Sequence, residues 1–235
     1  MSQQLLHSRY DMARHVWADT LEPVQQPTRP NFKKSTNFFQ CCLLKHPGIS
    51  EFHSLAELLH VALLEGDPTV RRYVPQPYRL KVFGGFYTPD IYVEANGDQQ
   101  VLELKPEGKF DENQVEALKQ FFALRQMSFG TLANETVFEQ QLAAENWLMI
   151  VHTLHQAVDI DTHQAEIDLL GEFGTVTDCF YLGDIVDRGD RERTYQREIG
   201  LFRLLYHGQF RANLNEAPLD FPTRFQSCRS IGQFA

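Results

Sequence analysis

Residues 86–106 read FYTPDIYVEANGDQQVLELKP. Two runs rich in β-branched and aromatic residues flank Asn96-Gly97, a dipeptide that favours a two-residue type I′ turn because both residues tolerate positive φ. The spacing predicts a hairpin with strands over 86–94 and 99–105. With Asn96-Gly97 as the turn, Ala95 pairs with Asp98. The same register sets Asp90 directly opposite Glu103 and Thr88 opposite Lys105. Side chains alternate along a strand, so Asp90, Glu103 and Lys105 are expected on one face.

Directly opposed carboxylates, with Cβ atoms about 4.5–5.5 Å apart, repel unless something neutralises them. A divalent cation does so, and Mg²⁺ accepts one or two carboxylates together with water and phosphate oxygens. A lysine beside the pair can orient an attacking water while the cation polarises a phosphoryl oxygen. The pattern therefore points to metal-assisted phosphodiester hydrolysis, with Mg²⁺ or, as a substitute, Mn²⁺. The plainer alternative is a solvated hairpin face. Against it stand Leu102 and Leu104 around Glu103, which suggest a strand buried on both sides, and Pro89, which implies an edge or a local irregularity.

Outward from the hairpin the periodicity changes. SLAELLHVALLE, 54–65, places Leu55, Leu58, Leu59, Ala62 and Leu63 at helical spacing, with Ser54 as N-cap and Glu57 at capping-box distance. Glu57 lies opposite this leucine stripe, on the side of His53 and His60. A third strand is predicted over 77–83, a helix over 111–127, a further strand at FGTLA and helix again over 135–157. Helix, strand meander, helix and strand make an α/β core. EPVQQPTRPN, 22–31, reads as an extended linker after a short N-terminal helix. Beyond it, AEIDLL and RTYQREIGLFRLLYH read as helices, Gly208 as a helix stop, and QFRAN and LDFPTRF as a small hairpin. The expected division is an N-terminal arm over 1–28, a core over 29–158 and a winged-helix-like domain over 159–235.

The 235 residues, 43% hydrophobic, suffice for a substantial core. No apolar run approaches a bilayer span, and the polar start is unlike a signal peptide. The four cysteines show neither metal-knuckle nor disulfide-framework spacing, so a cytoplasmic protein is expected. The formal charge of −9 argues against a protein that grips nucleic acid alone by neutralising phosphates. The first fifty residues nevertheless carry six Lys/Arg against three Asp/Glu, among them Arg29, Lys33 and Lys34. DNA contact is thus expected to be local, with a partner supplying most of the grip.

Pro89-Asp90 followed by Glu103-Leu104-Lys105 resembles the signature of restriction-endonuclease-like nucleases. Together with Ser54–Glu57, Leu64-Glu65, Asp67–Val70, Gln76-Pro77, Phe86-x-Thr88-Pro89-Asp90 and Leu102-x-x-Lys105-Pro106, it is similar to the TnsA-type endonucleases of cut-and-paste bacterial transposons. The resemblance covers roughly 29–155 well and the remainder in outline. It implies a restriction-endonuclease-like core with a mixed central sheet flanked by helices. It also implies a metal site formed by Glu57, Asp90, Glu103 and the Leu104 carbonyl, with Lys105 placing the water. Glu65 is the alternative acid and Gln76 a supporting residue. The implied activity is cutting of the 5′ ends of transposon DNA, beside a DDE-type transposase and a AAA+ ATPase regulator engaged through the C-terminal domain. A catalytically silent adaptor on the same fold is the rival reading.

A third reading comes from Gly183-Asp-Ile-Val-Asp-Arg-Gly189, which copies the central motif of calcineurin-like metallophosphatases. Asp161-Thr162-His163 lacks the flanking glycines of the companion motif, and Asn213-Leu214-Asn215-Glu216 lacks its histidine. The segment is therefore expected to be a structural loop, with Arg188, Arg191 and Arg193 paired to acids.

Overall fold

In the computed structural model, which describes residues 11–35, 37–174 and 179–228, Asn96 and Gly97 both take positive φ, 53° and 86°. The expected turn joins β7 (Ile91–Ala95) to β8 (Asp98–Lys105), paired antiparallel from Ala95↔Asp98 to Ile91↔Leu102. β7 and β8 are the two inner strands of a four-stranded sheet. β4 (Val70–Pro75) lies antiparallel on the far side of β7, and β9 (Ser128–Ala133) lies parallel to β8. The parallel pairing requires a crossover, which the chain makes through helix α3, Glu112–Ala123, capped by Asp111. Leu118, Phe121 and Phe122 of this helix are buried with Tyr92, Val101 and Phe129 of the sheet, and Phe122 stacks on Phe129 with centroids 6.0 Å apart. The chain is thus mixed α/β.

Two smaller sheets accompany this one. β1 (Val16–Ala18), β5 (Leu80–Val82) and β6 (Gly85–Tyr87) form an antiparallel sheet in the order β1-β5-β6. β2 (Phe39–Cys42) and β3 (Ile49–Phe52) form a hairpin that the sequence reading did not foresee. The arm predicted over 1–28 is tied in, since Val16–Ala18 pairs along β5. A 3₁₀ turn, Asp11–His15, is the described part of the expected N-terminal helix, and residues 1–10 lie outside the described residues. α1 (Pro30–Ser35) follows the linker.

Helix α2, Leu55–Gly66, forms as predicted, but its deep face is not the leucine stripe. Ala56, Glu57, Leu59, Val61, Ala62 and Glu65 are buried, and none of its residues is exposed. A helix apolar nearly all round is enclosed by protein, and that enclosure takes both glutamates out of water.

The chain separates into two compact units, 1–61 with 69–139, and 62–68 with 140–235. The division differs from that expected at 158. After the short α4 (Asn134–Phe138), helix α5 (Gln141–Gln156) sends Ala143, Ile150 and Leu154 into the core of the second unit, beside Leu169, Ile199, Phe202 and Phe225. That unit continues with α6 (His163–Phe173), β10 (Cys179–Tyr181), α7 (Leu182–Ile185), α8 (Arg191–Tyr206), β11 (Phe210–Ala212) and β12 (Arg224–Ser227). β12 lies between β10 and β11, antiparallel to both. α8 ends at Gly208 as predicted: φ is +69°, and the Gly208 and Gln209 amides donate to the Leu205 and Leu204 carbonyls. No helix among the described residues is long and apolar enough to cross a membrane.

Candidate active site

The ladder between β7 and β8 stops at Ile91↔Leu102. Pro89 has no N–H to give, and the chain between β6 and β7 passes from one sheet to the other through Thr88-Pro89-Asp90. Asp90 therefore does not take up the predicted direct pairing with Glu103, nor Thr88 with Lys105. The Asp90 amide donates instead to the Leu102 carbonyl at 3.1 Å, and the Asp90 carbonyl accepts from Gln76 at 2.7 Å. The side chain fills the gap left in the ladder: Asp90 Oδ2 accepts the Leu104 N–H at 2.6 Å. In an extended residue the N–H and C=O leave on the same edge, so the Leu104 carbonyl faces the edge on which Asp90 sits.

Asp90 keeps some accessible surface as a residue, but protein atoms crowd its carboxylate. Its pKa is raised well above the ordinary aspartate range, first by that burial and then by the charges of Glu103 and Glu57. Glu57, 5% exposed, is raised chiefly by burial, with a further push from Glu103. Its hydrogen bonds pull the other way. Oε2 accepts from the His53 amide at 3.0 Å and from Gln76 Nε2 at 2.9 Å, and Oε1 accepts from Ser54 Oγ at 2.8 Å. The capping relation is thus partly as predicted: Ser54 Oγ accepts the Glu57 N–H, while the glutamate reaches back to the His53 N–H and not to that of Ser54.

Glu103 is also buried. Lys105 Nζ lies 2.7 Å from its Oε1, and Tyr87 Oη donates to its Oε2 at 2.5 Å. Burial, and then the Glu103 charge, push the Tyr87 phenol far above its ordinary range, so it stays a donor. The fold therefore brings Glu57, Asp90 and Glu103 within mutual electrostatic reach, with Lys105 on the last of them. Among the described residues, no group of three or more His, Cys, Asp or Glu side chains stands as a ready-made metal cage; each acid is hydrogen bonded to the protein.

Two residues contribute beyond what the hairpin suggested. Tyr87, overlooked in the sequence reading, fixes Glu103; its signal was the aromatic residue three positions before Asp90. Gln76, foreseen as a supporting residue, links two acids through its side chain and its amide. Its φ of 42° is left-handed, it is 2% exposed, and its Oε1 has no hydrogen-bond partner. A buried orphan acceptor is costly, about 1–3 kcal/mol, and a hydrated cation beside Glu57 would satisfy it. Together with three hard carboxylate oxygens, this donor set fits Mg²⁺.

Other candidates fall elsewhere. Glu65 is fully buried and accepts from Tyr206 Oη at 2.9 Å; it belongs to the second unit. Thr28 Oγ1 lies 2.8 Å from His53 Nε2. His60 Nε2 has no hydrogen-bond partner, and burial lowers the ring to about 4. In the phosphatase-like segment, Asp184 Oδ2 accepts the Tyr181 N–H at 2.8 Å and so holds the start of α7. Arg191 pairs with Glu198 at 2.8 Å and Arg188 with Asp220 at 3.7 Å. The Arg193 amide donates to Asp190 Oδ1.

No protein-family profile matches the chain, and no curated protein sequence aligns with it significantly.

Proposed function

We propose that the protein is a Mg²⁺-dependent DNA endonuclease of the TnsA type, cutting the 5′ ends of a transposon beside a DDE-type transposase and a AAA+ regulator in the bacterial cytoplasm. One observation carries this reading. Three acidic side chains, far apart in sequence, are buried within reach of one another beside a lysine, at the point where a strand ladder breaks. Burying like charges costs stability, and such perturbed groups cluster where chemistry is done. The mixed sheet with helix α3 supports a restriction-endonuclease-like core. Helices α6 to α8 around a three-stranded antiparallel sheet support a winged-helix-like second unit.

Glu57, Asp90, Glu103 and the Leu104 carbonyl would hold the cation, which supplies Lewis-acid polarisation of the scissile phosphate. Glu103 holds the Lys105 ammonium, which orients the attacking water toward phosphorus. Gln76 fixes the Glu57 carboxylate, and Tyr87 fixes Glu103. Surrounding protein keeps bulk water from the acids, which strengthens each charge interaction. The formal charge of −9 accords with delivery of the DNA end by a co-bound transposase. The test is to map 5′ strand cleavage on transposon ends with Mg²⁺, with and without the transposase. Cleavage should need both and vanish in Asp90→Ala; unchanged cleavage by that variant overturns the assignment in favour of the adaptor.

A further inference from the structure

The sheet β1-β5-β6 turns one face to the core and the other outward. Val16, Leu80 and Val82 enter the core, while Trp17, Lys81 and Phe86 alternate outward. The registers Trp17↔Lys81 and Lys81↔Phe86 set these three side by side across the strands. Trp17 is 53% and Phe86 85% exposed. The Lys81 ammonium lies 5.3 Å from the Trp17 ring centroid and 5.6 Å from that of Phe86. Lys81 has no ion pair among the described residues, and the three strands carry no acid. At the hairpin tip Phe83 is 49% exposed at φ 49°, stacked on His15 with centroids 4.9 Å apart. A bulky residue at positive φ is unfavourable where Asn or Gly would be relaxed, so the sequence retains an aromatic ring there at a cost.

From this row we infer that the sheet is a stacking platform for unpaired bases of single-stranded DNA. Exposed rings offer π faces to bases, and a lysine between them, free of a carboxylate, complements the phosphate backbone. A protein partner would be better matched by a larger apolar patch without the central cation. The platform deepens the nuclease reading and rests on it: Phe86 and Tyr87 are neighbours on β6 with opposite facing, so the strand that displays Phe86 also fixes Glu103 through Tyr87.

The test is fluorescence anisotropy of a labelled oligo-dT strand and of a duplex with the intact chain, in EDTA and at low salt. Wild type should bind the single strand more tightly than the duplex. Trp17→Ala and Phe86→Ala should each weaken single-strand binding about tenfold or more, Phe86→Tyr should retain it, and Lys81→Met should weaken it and flatten its salt dependence. These side chains are exposed, so the variants should melt like wild type. Equal affinity of wild type and the two alanine variants, or no preference for the single strand, overturns the platform and leaves the patch to a protein partner. No cut occurs in EDTA, so this outcome is independent of the cleavage assay that decides the nuclease reading.

Discussion

The side chain of Asp90 accepts the backbone N–H of Leu104 at 2.6 Å, where the β7–β8 ladder would otherwise continue. An acid thereby substitutes for a main-chain acceptor inside a sheet, and its charge is held beside those of Glu103 and Glu57. The arrangement is unfavourable for the metal-free protein, and it exposes the site to test.

Asp90→Asn should abolish cleavage while stabilising the metal-free chain. The amide oxygen can still accept from Leu104, and the buried charge is gone. The folded pKa of Asp90 is raised, so its relative contribution to stability is complete below the unfolded pKa and is lost as pH rises through the folded value. The variant should therefore be more stable than wild type at about pH 8 and no more stable than it in acid. Urea unfolding at both pH values checks this.

If Asp90 and Glu57 hold the proposed Mg²⁺, its binding must expel the protons that burial favours on them. The thermal stabilisation given by Mg²⁺ should therefore be larger at about pH 8 than at about pH 5. Differential scanning fluorimetry across that range measures it, and a pH-independent shift would exclude these two acids as ligands.

His60 is neutral in the fold, lowered to about 4 by burial. A depressed pKa contributes stability that is present above the unfolded value of about 6.5 and is lost as pH falls toward 4. Wild type should lose about 3 kcal/mol over that window, and His60→Leu should lose correspondingly less. Chemical denaturation against pH provides the comparison.

Gln76→Ala removes the amide donor of Glu57 and leaves the acid otherwise in place. A residue that orients a ligand typically costs about tenfold or more in activity when removed. Cleavage by the reconstituted complex should fall by that factor, whereas single-strand binding in EDTA should not change.

Asn146, buried on α5, donates to the Leu214 and Ala217 carbonyls and accepts the Leu219 N–H, all at 2.8–2.9 Å. Asn146→Ala strands three main-chain groups of the β11–β12 loop and should cost about 3 kcal/mol, read as a lower melting temperature of the second unit.

The hairpin was legible because Asn-Gly fixes a turn and the turn fixes a register. That register placed Glu103 and Lys105 on an inner strand. It did not reveal where the ladder ends: Pro89 signalled an irregularity but not the direction in which Asp90 would swing. Strand β4 was missed because Arg71, Arg72 and Pro75 spoil its alternation; Arg72 is accommodated by Glu94 of β7 at 2.6 Å. The burial of Glu57 was present in the sequence as a helix with hardly a polar side, but the leucine stripe suggested a solvated back. The apolar spacing of helix α5 says that it packs, not against what, and it joins the second unit instead of the core expected over 29–158. Gln76 was expected as a supporting residue, but its contact with Glu57, like that of Tyr87 with Glu103, depends on the fold and not on local pattern.

The proposed metal centre is tested by a Mn²⁺ titration of the intact chain, followed by electron paramagnetic resonance, for wild type, Asp90→Asn and Glu103→Gln. The free-ion signal should be lost on adding wild type, more completely as pH rises, and this loss should be markedly weaker with each variant. Uptake by the two variants equal to that of wild type would contradict that centre.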